Sequence, residues 1–140
     1  MDRNHQLAAE VFQVSRRWRA LLDERLRVMG ASKSSWVVLY WLSRTPEGLS
    51  QRELAEQVGV ETSTLTRQLA AMEAQGLVER SSVDGDRRLK RVRLTDLAWP
   101  QLEQVGRITA EVREQLLEGV DPLDLDAALR VLRHVHERFA

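Results

Sequence analysis

The sequence predicts a mainly α-helical fold that carries one small β hairpin. Three observations predict it. Apolar residues recur at helical spacing through most of the 140-residue chain, two short helical segments adjoin near its centre, and strand-like alternation replaces them between residues 77 and 95. The length suits one domain or one compact subunit. A hydrophobic fraction of 43% and a charged fraction of 30% are typical of an ordinary globular chain.

The first element is predicted to be a helix of more than about 20 residues. Its apolar residues recur at alternating spacings of four and three: Leu7, Val11, Val14, Trp18 and Leu21. This spacing gives the helix one apolar face, and no Pro or Gly interrupts it before Gly30. So long an apolar face needs a partner, which is either another helix of the same chain or a helix of a second copy.

The next two helices are predicted from their boundary residues. The first of them begins with Ser32 as N-cap, runs through Leu42 and stops at the Pro and Gly of residues 45–48. The second begins with Ser50-x-x-Glu53, a capping box that satisfies free amides at the helix start. Gly59 is the predicted stop of this second helix.

A third helix follows at once, with Thr62 as its predicted cap and Gly76 as its end. Leu65, Leu69 and Met72 form its apolar face. Two short helices joined by a tight turn that contains Gly are typical of a helix-turn-helix. Taken alone, the pattern is equally compatible with an ordinary helical hairpin.

The segment after Gly76 is predicted to be a β hairpin. "LVERSS" (77–82) and "LKRVRLT" (89–95) have strand character, and Asp84-Gly85 between them favours a tight turn. A helix-turn-helix followed directly by a hairpin is a winged helix. This combination is far more specific than either half.

Two further helices are predicted after Thr95. The apolar face of the first, which ends near Gly119, is formed by Leu102, Val105, Thr109, Val112 and Leu116. Asp121 as N-cap and Pro122 at the first helical position start the second. Its apolar face is formed by Leu125, Leu129, Leu132, Val135 and Phe139.

Basic residues are concentrated in the predicted hairpin, although the chain as a whole is neutral. Residues 77–95 carry a net charge of +3 and residues 96–140 a net charge of −4. Five cations lie within seven positions of the hairpin: Arg87, Arg88, Lys90, Arg91 and Arg93. One interpretation is an edge hairpin that charge protects against aggregation. Its place directly after a candidate recognition helix favours contact with a polyanion instead.

The outer face of the third helix supports this interpretation. If Leu65 and Leu69 face inward, then Ser63, Thr66 and Arg67 lie on the outside. Hydroxyl groups can bond to phosphates or base edges, and an arginine can pair with guanine O6 and N7. The arginines of the hairpin suit phosphates and narrow minor grooves. The sequence therefore predicts a DNA-binding surface.

The segment "LSQRELAEQVGVETSTLTRQLAAMEAQGLVERSSVDGDRRLKRVRLT" resembles the MarR family of bacterial winged-helix transcription regulators. The motifs that carry the resemblance are the helix-turn-helix, "GLVER", and "DRRxxxVxLT". Within the family the chain is most similar to the SlyA type, through "RRWRALLDERL", "SSWVVLYWL", "LAWPQLEQV" and "LLEGVD". It departs from many relatives at Ala98, where they carry Gly.

The resemblance implies a homodimer in which the N-terminal (1–31) and C-terminal (96–140) helices of both subunits interlock around DNA-binding modules (32–95). It implies a pseudo-palindromic site in double-stranded DNA, read by two recognition helices about 34 Å apart. The recognition-helix contacts it implies are Thr62, Ser63, Thr64, Thr66 and Arg67. In the wing it implies that Arg88 enters the minor groove and that Asp86 orients it. The neighbouring cations, which contact the DNA backbone, are Arg87, Lys90 and Arg91.

Aromatic residues in the first two helices raise the question of a ligand site. Core and dimer packing is the plainer explanation of the four tryptophans, Trp18 among them. The MarR and SlyA resemblance implies a pocket for a small aromatic carboxylate such as salicylate. Its residues are Arg16, Trp18, Trp36 and Tyr40. A guanidinium fits a carboxylate, and the aromatic rings stack on the ligand.

Other functional classes find little support. The three histidines and the Asp84-x-Asp86 pair form neither a nucleophile–base arrangement nor a calcium loop, so we expect neither an enzyme nor a metal or other cofactor. The absence of Cys excludes a thiol redox switch. No apolar run is long enough for a membrane helix and no secretory signal is recognisable, so a cytoplasmic protein is expected. A winged helix used only for protein contact remains the second alternative.

Overall fold

The structure, a computed structural model, describes residues 1–27, 35–83 and 86–139; of residues 82–90 it describes no side chain. Six helices and three strands follow one another in the described residues, and they confirm the mainly helical class with a small β wing. In chain order they are α1 (Arg3–Arg27), α2 (Ser35–Ser43), β1 (Leu49–Ser50), α3 (Gln51–Val58), α4 (Thr62–Ala74), β2 (Val78–Val83), β3 (Asp86–Leu94), α5 (Trp99–Leu117) and α6 (Pro122–Glu137). A single 3₁₀ turn (Asp96–Ala98) leads into α5.

The predicted helix boundaries are confirmed at three of the capped ends. The Ser50 hydroxyl accepts a hydrogen bond from the Glu53 amide at 3.1 Å. Gly59 ends α3 in the left-handed conformation, with φ 77°. At the start of α6, the Asp121 carboxylate accepts from the Leu123 amide at 2.8 Å, next to Pro122 at the first position.

The prediction that Thr62 caps α4 is wrong by one residue. Glu61 holds the extended backbone that precedes the helix, with φ −64° and ψ 146°. Its carbonyl already accepts the first helical hydrogen bond, from the Leu65 amide at 3.0 Å. Thr62 is therefore the first residue inside the helix. The proposed N-cap Ser32 lies outside the described residues.

The predicted hairpin is part of an antiparallel sheet with strand order β1-β3-β2. β2 and β3 pair from Val78 opposite Leu94 to Val83 opposite Asp86, with an irregularity between Ser82 and Val83. The predicted turn at 84–85 lies outside the described residues. The two-residue strand β1 was not predicted, because a segment so short shows no alternation.

The chain divides into a unit of residues 1–109 and a unit of residues 110–140. In the first unit, α2 packs against α3 and β3, and α4 packs against β2. The fully buried side chains of this core include Leu39, Leu54, Leu65, Leu69 and Val92. The core thus fixes the helix-turn-helix of α3 and α4 to the sheet.

Much of the apolar surface of the long helices is not buried within one chain. In α1 only Leu22 and Leu26 are buried, whereas its N-terminal half exposes Leu7, Val11, Phe12 and Val14. In the second unit, α6 buries no residue and exposes Leu129, Leu132 and Val135 by 39 to 48%. Among the described residues, none of the helices is both long and apolar enough to cross a lipid bilayer.

Gly48 allows the turn after α2 to lie directly against β3. It adopts φ +87°, and a Cβ atom at this position would lie 2.8 Å from the Val92 carbonyl oxygen. Only glycine satisfies both the backbone conformation and the close contact. The residues that follow Gly48 then enter β1, where Leu49 pairs with Val92.

We expect Gly48→Ala to lower the free energy of unfolding by roughly 3 kcal/mol or more, because it combines left-handed strain with a backbone clash. Gly59→Ala is the matched control: its φ is +77°, but no atom lies within 4 Å of an added Cβ. The control should lose only about 1 to 2 kcal/mol. Urea denaturation at one fixed protein concentration measures both losses. Equal losses would contradict a role for the contact with Val92.

Candidate nucleic-acid interface

Helix α4 separates its residues into a buried face and an outer face, as the sequence predicted. Leu65, Leu69 and Met72 are at most 2% exposed. The outer face consists of exposed side chains: Thr62, Ser63, Thr66, Arg67 and Ala70. Thr64 is half-buried. Four of the five predicted recognition residues are therefore open to solvent on one helix.

The Thr66 hydroxyl is held by two hydrogen bonds. It donates to the carbonyl of Thr62, one turn earlier, at 2.8 Å. It also accepts from the side-chain amide of Gln51, the first residue of α3, at 2.6 Å. Sequence reasoning missed Gln51, because only the folded geometry of the helix-turn-helix brings residues 15 positions apart into contact. The bond joins the two helices on the side that Thr66 exposes.

The start of α4 is not closed by a side chain. Its N-cap residue, Glu61, makes no side-chain capping bond. The first amides of a helix carry partial positive charge and can bond to an anion. The hydroxyl groups of Thr62 and Ser63 are exposed in the same first turn.

The wing residues divide into those whose side chains are described and those whose side chains are not. The backbone of Asp86, Arg87, Arg88 and Lys90 belongs to β3, whereas their side chains lie outside the described part of the structure. Arg91 is the one predicted wing contact whose side chain is described.

Arg91 and Arg93 attach the wing to the turn that precedes β1. Arg91 donates to the Gly48 carbonyl at 3.0 Å from a partly buried position. Arg93 donates to the adjacent Glu47 carbonyl at 3.4 Å. Val92, between them, is fully buried. These two arginines therefore connect β3 to the turn, and at least one guanidinium nitrogen of each donates a hydrogen bond within the protein.

Two further contacts tie other elements to the helix-turn-helix. Arg80 of β2 lies 3.0 Å from the carboxylate of Glu73, near the end of α4. Arg19 of α1 lies 3.5 Å from the carbonyl of Val58, the last residue of α3. A cation near the last carbonyls of a helix is favourable. The wing and the long first helix thus each contact one helix of the pair.

The candidate ligand residues fall into separate sets of contacts. Arg16 is exposed and donates to the side chain of Gln13 at 2.8 Å. Trp36 is buried at 6% exposure, and its indole N–H donates to the Asp23 carboxylate at 2.6 Å. Trp18 is half-buried. The position of Trp36 is that of a core residue whose polar group is satisfied.

Tyr40, also half-buried, contacts an aromatic residue of α2 and a cationic residue just beyond the end of that helix. Its ring lies edge-on to that of Trp41, with 5.3 Å between centroids. The Arg44 guanidinium carbon lies 5.7 Å from the Tyr40 ring centroid, and Arg44 donates to the Tyr40 hydroxyl at 3.3 Å.

Across residues 1–27, 35–83 and 86–139, no group of three or more His, Cys, Asp or Glu side chains is arranged to hold a metal ion.

Comparison with known proteins gives a consistent family assignment. A sequence model of the MarR family matches residues 30–89. The crystal structure of the transcriptional regulator PA3341 superimposes with a TM-score of 0.88 and 40% sequence identity. That match covers 95% of this chain and 97% of the other.

Two more distant structures share the fold. The transcriptional regulator SlyA has a TM-score of 0.80 and 16% identity, over 95% of this chain and 93% of its own. NadR in complex with 4-hydroxyphenylacetate has a TM-score of 0.79 and 19% identity, over 92% of this chain and 91% of its own. At these identities the likeness shows the fold alone.

Proposed function

Because the chain belongs to the MarR family of transcriptional regulators, we propose that it binds double-stranded DNA sequence-specifically, as a homodimer on a pseudo-palindromic site. It is a regulator and not an enzyme, as its family membership requires. The observation that carries the proposal is the exposed face of α4, with its hydroxyl groups and Arg67, directly before a basic hairpin. We assign it to the cytoplasm, where it would meet operator DNA.

In this proposal α4 enters the major groove and the wing follows the adjacent minor groove. The recognition residues are Thr62, Ser63, Thr64, Thr66 and Arg67. Arg67 pairs with a guanine, because its guanidinium matches O6 and N7. In the wing, Arg88 enters the minor groove and Asp86 orients it. The remaining wing residues, Arg87, Lys90 and Arg91, contact phosphates, Arg91 with the guanidinium donors that Gly48 leaves free.

The SlyA type is the finer assignment that we propose within the family. Motifs of that type lie in both the first and the second helix, "RRWRALLDERL" and "SSWVVLYWL". Those helices lie outside the helix-turn-helix and the wing. A likeness there concerns the dimer and ligand regions rather than DNA contact.

We expect Arg67→Ala and Arg88→Ala to change binding in different ways. Selection of bound sequences from random duplex DNA should show that Arg67→Ala relaxes preference at particular base pairs, at a cost of about 1 to 3 kcal/mol. Arg88→Ala should weaken binding mainly at positions that flank the half-site. Arg107→Ala, which removes an exposed cation of α5, is the control and should leave the selected sequence unchanged.

If neither Arg67→Ala nor Arg88→Ala alters binding, the assigned contacts are wrong.

The affinity of the unaltered protein for random duplex DNA should also fall steeply as the salt concentration rises, because cationic side chains that bind phosphates release counterions from the DNA. A protein that binds no DNA even at low salt would instead favour a winged helix used for protein contact.

The exposed apolar faces of α1 and α6 support the homodimer. The exposed residues of α1 follow the helical spacing that the sequence predicted for a buried face, Leu7, Val11 and Val14. α6 exposes Leu129, Leu132 and Val135 of its apolar face while burying no residue, and Phe139, two residues beyond its end, is exposed as well. Contiguous exposed apolar faces mark sites of contact with a partner. A second copy of the chain would supply the matching apolar faces of its own α1 and α6. In the dimer, residues 1–31 and 96–140 supply the interface and residues 32–95 the DNA-binding module.

We expect Leu132→Glu to dissociate the dimer, because it places a charge within an apolar interface. Sedimentation velocity should give twice the chain mass of 16.1 kDa for the unaltered protein, and the single mass for the variant. His134→Glu introduces the same charge on the opposite face of α6 and should leave the dimer intact. A protein that sediments as a single chain before any substitution would refute the homodimer.

The regulatory part of the proposal is a small aromatic carboxylate, such as salicylate, that binds near Arg16, Trp18, Trp36 and Tyr40. NadR, which shares the fold, was crystallised with 4-hydroxyphenylacetate, a compound of this chemistry. Arg16 is exposed and carries the required cation. The ligand binds more tightly to a dimer conformation in which the spacing of the two recognition helices does not match the DNA site. It therefore shifts the dimer population toward that conformation, and the DNA is released. Core packing remains the alternative role of Trp36.

Salicylate at millimolar concentration should change the tryptophan fluorescence and weaken operator binding. Arg16→Ala should abolish both effects, because the carboxylate loses its partner. Benzyl alcohol, which has the ring without the carboxylate, is the control ligand and should be inactive. Unchanged fluorescence together with unchanged DNA affinity would argue against the pocket.

A further inference from the structure

We propose that Gln51 is a positioning residue for base recognition: it fixes the Thr66 side chain on the outer face of α4 before DNA binds. This inference rests on the proposed DNA-binding function and adds a residue that the family resemblance does not supply. Gln51 is half-buried at the start of α3, and Thr66 is exposed in the middle of the α4 outer face. Gln51 Nε2 donates a hydrogen bond to Thr66 Oγ1 at 2.6 Å.

The two hydrogen bonds of Thr66 determine what its hydroxyl can still offer. A hydroxyl group has one proton to donate and two positions at which it can accept. The proton is used by the Thr62 carbonyl at 2.8 Å, and Gln51 Nε2 occupies one accepting position. One accepting position remains, and no donor. Held in this way, Thr66 can accept from an exocyclic amino group but cannot donate to a base.

This restriction has a direct meaning in the major groove. Adenine N6 and cytosine N4 are the donors there, whereas guanine O6 and thymine O4 only accept. Thr66 held by Gln51 therefore favours adenine or cytosine at the base that it faces. A freely rotating hydroxyl could donate to guanine or thymine and accept from adenine or cytosine, and so it would discriminate less between these bases.

Gln51 also restricts the rotation of the Thr66 side chain. Threonine in a helix divides between two side-chain conformations, because its hydroxyl can bond to the preceding turn in either. A bond to the neighbouring helix selects one of them and so fixes the direction of the γ-methyl group as well. A side chain that is already ordered loses less conformational freedom on binding. Gln51 thus increases both affinity and selectivity through Thr66.

A double-mutant cycle separates this role from a direct contact of Gln51 with DNA. The variants are Gln51→Met, which keeps the length and shape of the side chain without its donor, Thr66→Val, and the two combined. Thr66→Ser keeps the hydroxyl and should keep the coupling to Gln51. Gln57→Met, an exposed glutamine of the same helix, is the control. Each protein is measured against the selected duplex and against duplexes with each half-site base pair replaced in turn.

We expect Gln51→Met to weaken binding about 5-fold and to reduce discrimination at the same base pair that Thr66→Val affects. The combined variant should be no weaker than the weaker single variant, within about 2-fold. Gln57→Met should bind as the unaltered protein does. Thermal unfolding of each variant checks that the folded fraction is unchanged.

Three results would overturn the inference. In the first, the losses of affinity caused by Gln51→Met and Thr66→Val multiply in the combined variant. In the second, Gln51→Met lowers the affinity equally for all duplexes. In the third, Gln51→Met binds DNA as the unaltered protein does. The first two indicate that Gln51 contacts the DNA itself. If the unaltered protein shows no sequence preference, the proposed function fails as well, and this outcome is distinguishable because it precedes any substitution.

Discussion

The contact between the turn at Gly48 and strand β3 is the constraint on which the geometry of the candidate interface depends. Gly48 approaches the Val92 carbonyl so closely that no side chain fits between them. Arg91 and Arg93, on either side of Val92, donate to the carbonyls of the same turn. The wing is therefore fastened to the chain directly ahead of α3 and does not depend on α4 alone for its position. A wing attached in this way keeps a set distance from α4, and the proposed contact with two DNA grooves requires such a distance.

Several parts of the fold could be predicted because a single local rule decides them. The ends of α3 and α6 follow from residues whose side chain or left-handed backbone satisfies free helical groups, such as Ser50, Gly59 and Asp121. The buried face of α4 follows from spacing alone, since Leu65, Leu69 and Met72 are all buried. The start of α4 was misplaced because Thr62 is a good cap by type, whereas the backbone at Glu61 decides where the helix begins.

The parts that could not be predicted depend on contacts between residues that are distant along the chain. β1 has too few residues to show a period, and it exists because Leu49 and Ser50 meet β3. From residue type alone, all five cations of the hairpin are predicted to contact a polyanion. In the structure, Arg91 also donates a hydrogen bond to the Gly48 carbonyl. Likewise, Trp36 was grouped with ligand residues by its position in the family pattern, but its indole is satisfied by Asp23. Identity and spacing do not reveal which polar groups are already paired.

Strand β1 has a consequence for the order in which the chain folds. β2 and β3 are neighbours along the chain, so their hairpin closes only a short loop, whereas Leu49 must meet Val92 across 43 residues. Closing so long a loop costs more entropy than two residue pairs return, unless α3 and α4 have already shortened the path. The β1–β3 ladder therefore forms late and opens early, and loss of order in the two central helices also releases the wing. The attachment of the wing to the turn at Gly48 is consequently lost no later than the order of α3 and α4.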